Sequence, residues 1–348
     1  MKKIFAMVVA LTVFLCSGCT VIKRRTEIPQ IWTGGHYPFQ LVDADPDEYD
    51  ETFSKITGLN IFCGDITGSS LDDLRPLAEL LCENNIKVSI EVGGLYNQVW
   101  ADECGERSAE IDLATLNKWR DAGGTVDRLF MDEAIGRVNS VYGSGWGSAD
   151  YPYLTYEEAG NEMADYISAV RAIYPDIEIY LGTNFPNWGW KGEIDFYGRG
   201  EDGMFRGDYY IALTDFLDTV DARGEKIDGV EVDNPYEYYT GKGSADDEID
   251  WAARLADLEN VVKSRGLKFN IIINSEGGNT SPLLFYFYTM EYIKMYLGNG
   301  GAPDTITVES WYTYPDKTLP ESERNTLFRT ACDVYDFTEN FYYEKTGG

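Results

Sequence analysis

The chain has 348 residues, of which 59 are acidic and 29 basic, giving a formal charge of −30. A polyanion has to be met by clustered Lys and Arg, and the one basic block is Lys23-Arg24-Arg25, so the composition argues against nucleic acid as a partner. Aromatics make up 14%, with 25 Tyr and 8 Trp; many fall in segments that read as loops, where exposed rings serve recognition.

Lys2 and Lys3 precede an apolar run from Ile4 to Leu15, followed by Ser17 and Gly18 directly before Cys19. That is the layout of a signal peptide over residues 1–18. The run falls short of the roughly 20 residues a transmembrane helix needs. Cys16-Ser17-Gly18-Cys19 resembles a bacterial lipobox, with Cys16 where Leu is common. The expectation is lipidation of Cys19, a tether over residues 19–28, and an exported protein anchored to the cell envelope, with the outer membrane as its site. Loss of Lys2 and Lys3 takes the formal charge from −30 to −32.

Residues 29–348 carry no Pro/Ser-rich linker, repeat or low-complexity tract, so they read as one domain and a monomer. Short β-branched runs fall at residues 30–34, 59–64, 86–92, 127–132, 177–182, 227–233, 268–274 and 304–311. Amphipathic stretches lie between them, among them Leu71–Asn84, Tyr156–Ile173, Asp246–Lys263 and Glu321–Phe337. Eight βα units of this length predict a single (β/α)8 barrel, with long βα loops after strands four and five, at residues 138–153 and 185–207.

Alternation within each strand then separates helix-facing from axis-facing positions. Val88, Ile90 and Val92 face out, which turns Ser89 and Glu91 inward. By the same parity Asp132 points in with Glu133 just beyond, Glu231 and Asp233 point in, Asn270 and Asn274 point in ahead of Glu276, and Glu309 and Trp311 point in. Unpaired buried carboxylates cost several kcal/mol, so their gathering at C-terminal strand ends, where this fold keeps its active sites, points to chemistry. Structural pairing with inward bases is the competing explanation.

Paired carboxylates suit glycoside hydrolysis, one staying protonated to donate to the leaving oxygen while the other stays ionised. Glu133 reads as the acid, with Asp132 beside it. Asp233 and Glu231 are the first-choice partners and Glu276 the second. Glu91, Asp132, Asn274, Glu309, Trp188, Trp190, Tyr236, Trp311 and Tyr312 read as saccharide-binding, since sugar C–H faces lie on aromatic planes while hydroxyls find Asn, Asp and Glu. Tyr142 and Trp146 belong to the same rim. His36, the single histidine, follows strand one and is a further candidate for substrate; with one histidine, most zinc chemistries and Ser-His-Asp hydrolysis are uneconomical. No cofactor or metal is assigned, and carboxylate-bound Ca²⁺ or Mg²⁺ stays open. Four cysteines follow the lipobox, and a Cys63–Cys104 bridge is one possibility; Cys82 and Cys332 read as core thiols.

Glu91-Val92-Gly93-Gly94-Leu95, Met131-Asp132-Glu133-Ala134, Glu231-Val232-Asp233 and Glu309-Ser310-Trp311-Tyr312-Thr313-Tyr314-Pro315, followed by Leu319-Pro320-Glu321, resemble a poorly characterised bacterial lipoprotein family of TIM-barrel type placed in the glycoside hydrolase superfamily. The resemblance covers most of residues 58–330, is specific in the strand-eight segment, and implies the fold rather than the reaction. Compared with the retaining clan of barrel glycosidases, Glu133 and Glu276 occupy similar places, whereas Asp132 stands where that clan has Asn. A non-catalytic saccharide-binding lipoprotein and a metal-dependent hydrolase or lyase remain the alternatives.

Overall fold

The computed structural model describes residues 28–35, 38–96, 103–139, 154–192, 207–242 and 249–346. Contacts divide the chain into two units. Pro29–Thr338 holds the barrel; the other combines Met1–Ile28 with Glu339–Gly348, and its described part is Ile28 and the end of the helix Leu327–Thr346.

Eight strands run β1 (Gln30–Gly35), β2 (Gly58–Phe62), β3 (Lys87–Val92), β4 (Arg128–Met131), β5 (Glu178–Asn184), β6 (Gly229–Asp233), β7 (Lys268–Ile273) and β8 (Thr305–Ser310). Each pairs in parallel with the next, and β8 returns to β1 with Ile31 opposite Ile306, closing the barrel. The (β/α)8 architecture is therefore the one the alternation predicts. Strands form where apolar, mostly β-branched residues supply a fully buried outer face: Val88, Ile90, Leu129, Met131, Val230, Val232, Ile306 and Val308 are all buried.

Helices start where capping groups satisfy their first N–H groups. Thr155 Oγ1 accepts from Glu158 N–H, and the Glu158 carboxylate answers to Thr155 N–H, opening Tyr156–Ile173. Asp250 caps Trp251–Ser264, so that helix begins later than the Asp246 expected. The last helix begins at Leu327 rather than Glu321. Glu321 instead turns back and accepts from Glu51 N–H at 3.0 Å, Thr52 N–H at 2.7 Å and the Thr52 hydroxyl at 2.7 Å, tying down the start of the helix Asp50–Lys55. No described helix is long and apolar enough to cross a membrane.

The barrel interior is mixed in character. Near the N-terminal end of the strands, the Arg128 guanidinium lies 4.0 Å from the Trp32 ring centre and 4.3 Å from that of Tyr180. Above it Phe130, Tyr180 and Ile272 cluster, with Trp311 packed onto them. Gly34 is required on β1, because a Cβ there would lie 2.6 Å from Glu309 Oε1 and 2.7 Å from Asn60 Cβ.

Candidate active site

At the C-terminal end of the strands a cavity of about 420 Å³ opens, walled by Glu91, Asp132, Glu133, Asp233, Glu276 and the rings of Phe130, Tyr238, Trp311 and Tyr312. Side chains from β3, β4, β6, β7 and β8 or the loops that follow them thus meet in one hollow. Parity delivers the strand residues to the axis, and the loop residues overhang them.

Glu133 follows β4 in a left-handed backbone conformation, with φ 54°. A non-glycine residue held there costs on the order of 1 kcal/mol or more, and such strain gathers at functional positions. Its N–H still bonds Gly182 C=O at 3.2 Å, while Oε1 accepts from Asn184 N–H at 2.5 Å. The neighbouring Asp132 is held by Arg137, 2.6 Å between Nη2 and Oδ2, with Arg137 Nε donating to the Asp132 carbonyl at 2.8 Å. Asp132 therefore enters the cavity as half of an ion pair.

Asp233 accepts from Asn274 Nδ2 at 3.0 Å. Burial, reinforced by the charges of Asp132, Glu133 and Glu276 and opposed by the Asn274 bond, pushes its carboxyl up to about 7. Like charges converging in a desolvated hollow make such a shift, because ionising one group raises the cost of ionising the next.

Behind this group lies a second acidic pair. Asn60 Nδ2 donates to Glu309 Oε1 at 2.9 Å and Glu91 Oε2 at 3.2 Å. Burial, and for Glu91 next the adjoining Glu309 charge, drives both carboxyls well above the usual carboxylate range. The sequence reading passes over Asn60, although the alternation that picks out Glu91 also turns Asn60 inward. It passes over Glu237 too, which lies beyond β6 where no parity applies.

Of the expected site residues, Glu231, Trp188, Trp190 and Tyr236 sit elsewhere, and Asn274 and Glu309 are fully buried and absent from the cavity wall. Glu231 is not in the cavity wall: one strand repeat below Asp233, it pairs with Arg128 at 3.5 Å and accepts from the Thr307 hydroxyl at 2.5 Å and Asn270 Nδ2 at 3.3 Å. It is a structural interior charge, since its position two residues before the strand end puts it a full layer deeper. Trp188 and Trp190 are buried against Tyr209 and Phe185, and Trp190 Nε1 donates to Asp257 at 2.8 Å, so both rings pack the loop after β5 rather than line the hollow. Tyr236 stacks on Tyr288 with ring centres 5.0 Å apart, leaving Tyr238 to face the cavity. Trp311 stacks on Phe62 at 4.9 Å and also borders the cavity, beside Tyr312.

His36, Cys19, Tyr142 and Trp146 lie outside the described residues, as do most of the two long loops. Cys63 and Cys104 are both free thiols, and Cys82 is exposed rather than in the core. Among the described residues no three His, Cys, Asp or Glu side chains stand together in an arrangement that could hold a metal.

No protein-family model matches the chain, and no curated protein sequence does. Solved structures do resemble it. A glucosidase from Croceicoccus marinus superposes with TM-score 0.51 at 11% identity, over 89% of this chain and 68% of that one. The GH53 catalytic domain of Ignisphaera aggregans gives 0.49 at 12%, over 83% and 86%, and a D-psicose 3-epimerase from Clostridium cellulolyticum H10, solved with D-tagatose, gives 0.43 at 12%, over 89% and 99%. At such identities the likeness is one of fold alone: the chain is a TIM barrel.

Proposed function

We propose that the chain is a glycoside hydrolase-like enzyme that cleaves an oligo- or polysaccharide by paired-carboxylate chemistry. The observation carrying this reading is Asp233, a carboxyl raised to about 7 in a hollow it shares with other acidic groups. At neutral pH it is protonated about half the time and can give its proton to a departing glycosidic oxygen. Glu133, whose Oε1 accepts from Asn184 N–H across the same hollow, takes the partner's part. It attacks the anomeric carbon directly or takes a proton from the water that does. Glu133 and Asp233 thereby exchange the parts that their positions in the sequence suggest. Trp311, Tyr312 and Tyr238 offer planes for sugar faces, and Asn184 and Asn187 offer amides for hydroxyls.

Screening the protein against a glycan panel tests the reading, with D233N and E133Q alongside. Each variant should lose about 10²-fold or more of the hydrolysis while still binding. Wild-type protein that binds glycans and never cleaves one would instead be a saccharide-binding protein. Activity unaffected by EDTA is expected, and its loss would favour the metal-dependent alternative. We further propose anchoring at the cell envelope through lipid on Cys19, which labelled fatty acid incorporated by wild type and absent from C19A would support.

A further inference from the structure

The loop that carries Glu276 is fastened by one side chain. Glu237, on the short helix Tyr236–Tyr239 after β6, accepts at Oε1 from the Ser275 hydroxyl at 2.6 Å and Gly277 N–H at 3.2 Å, and at Oε2 from Glu276 N–H at 2.8 Å. Tyr236 N–H adds a bond to Asn274 C=O at 3.2 Å. Both carboxylate oxygens of Glu237 are thus spent on the backbone and hydroxyl of the Ser275–Gly277 turn. The Lys242 ammonium is among the groups its charge acts on. A group anchored in this way fixes where the turn lies, and the turn fixes where Glu276 points.

We propose that Glu237 is the positioning residue of the site, holding the Ser275–Gly277 turn so that Glu276 stays in the wall of the hollow that also contains Asp233. The proposal rests on the reading of this hollow as the reaction site, but its geometry stands apart from any turnover. The charged or titratable groups acting on or responding to Asp233 are Asp132 and Glu133 after β4, Glu276 after β7, Glu309 and Tyr312 from β8 and its loop, and Tyr292 from the helix Pro282–Gly298. Glu237 is not among the largest influences on Asp233; a direct effect of its charge would persist when Glu276 is replaced, whereas an effect through the placement of Glu276 would not.

Glu237→Gln tests this in the full chain. The amide is nearly isosteric and keeps one acceptor, but its NH₂ group must oppose either the Glu276 N–H or the Ser275–Gly277 donors. The measurement is the titration of the Asp233 side-chain carbon by NMR, assigned with D233N, in wild type, E237Q, E276Q and the double variant. E276Q should lower the Asp233 midpoint by about half a pH unit or more, as loss of a nearby like charge does. E237Q should lower it comparably, and the double variant no further than E276Q alone. An E237Q midpoint equal to wild type, an E276Q midpoint equal to wild type, or shifts that simply add would overturn the proposal. Should a cleavable glycan be found, kcat of E237Q should fall about tenfold with KM within twofold, since misplacement costs rate before it costs binding. If no glycan is cleaved, the titrations still decide the role of Glu237 while the hydrolase reading fails on its own.

Discussion

Asp233 titrates in the folded protein at about 7 against an ordinary aspartate value of 3.8, so the folded state binds its proton the more tightly. The stability this contributes is complete below about pH 4 and is lost as the pH rises through 7. D233N keeps the shape and removes the titration. Between pH 4 and pH 8 it should gain on the order of 2–4 kcal/mol relative to wild type, read as the difference between urea melts at the two pH values. A difference that does not change with pH would contradict the shift. Asp112 is also driven to about 7, chiefly by burial, with its oxygens bonded to the Tyr96 and Tyr166 hydroxyls at 2.8 Å. It does not line the cavity, so a raised carboxyl alone does not mark this site; a raised carboxyl in an open hollow does. Gly34 is a residue whose identity is forced by close packing. G34A drives a methyl into Glu309 and Asn60 and should cost about 1–3 kcal/mol in chemical denaturation, with the Glu91–Glu309 pair displaced.

At the scale of elements, strands and helices respond to different information. Most of the eight strands are legible because short β-branched runs, several alternating with polar residues, recur along the chain, whereas the first, Ile31-Trp32-Thr33, carries only a weak pattern. The beginning of the final helix is not legible, because Glu321 satisfies a distant helix instead of starting its own. Its three bonds to Glu51 and Thr52 span about 270 positions of sequence. E321A should therefore destabilise the protein by about 2–4 kcal/mol, as the loss of charge-assisted bonds to buried donors does, whereas E321Q should recover part of it. Urea unfolding of both variants checks this, and equal, near-zero effects would mean that the helix Asp50–Lys55 is held by packing alone. Glu237 belongs to the same category: a loop side chain whose importance comes from which turn it meets.

For the whole barrel, the decisive feature is how one interior holds several acids. Glu231 is neutralised by Arg128, itself packed against the faces of Trp32 and Tyr180, and both are buried. Removing only the cation strands a buried charge, so R128M should lose about 3–5 kcal/mol of unfolding free energy while R128M/E231Q regains most of it. Failure of the second change to rescue the first, in guanidinium melts, would show that the arginine acts through stacking rather than charge. That single pairing separates a structural acid on β6 from the acid two residues further on, which meets Asn274 and the cavity instead.

From the sequence alone follow the barrel, the strand order and the inward set of Glu91, Asp132, Asp233 and Glu309, because a period of two and the burial of apolar faces are local physics. Only the tertiary structure decided which acids are paired with arginines, which aromatic rings face the hollow, and which carboxyls are pushed upward. Those properties depend on depth along the barrel axis and on neighbours brought from other strands, and the desolvation and charge crowding that set them exist only once the barrel has closed.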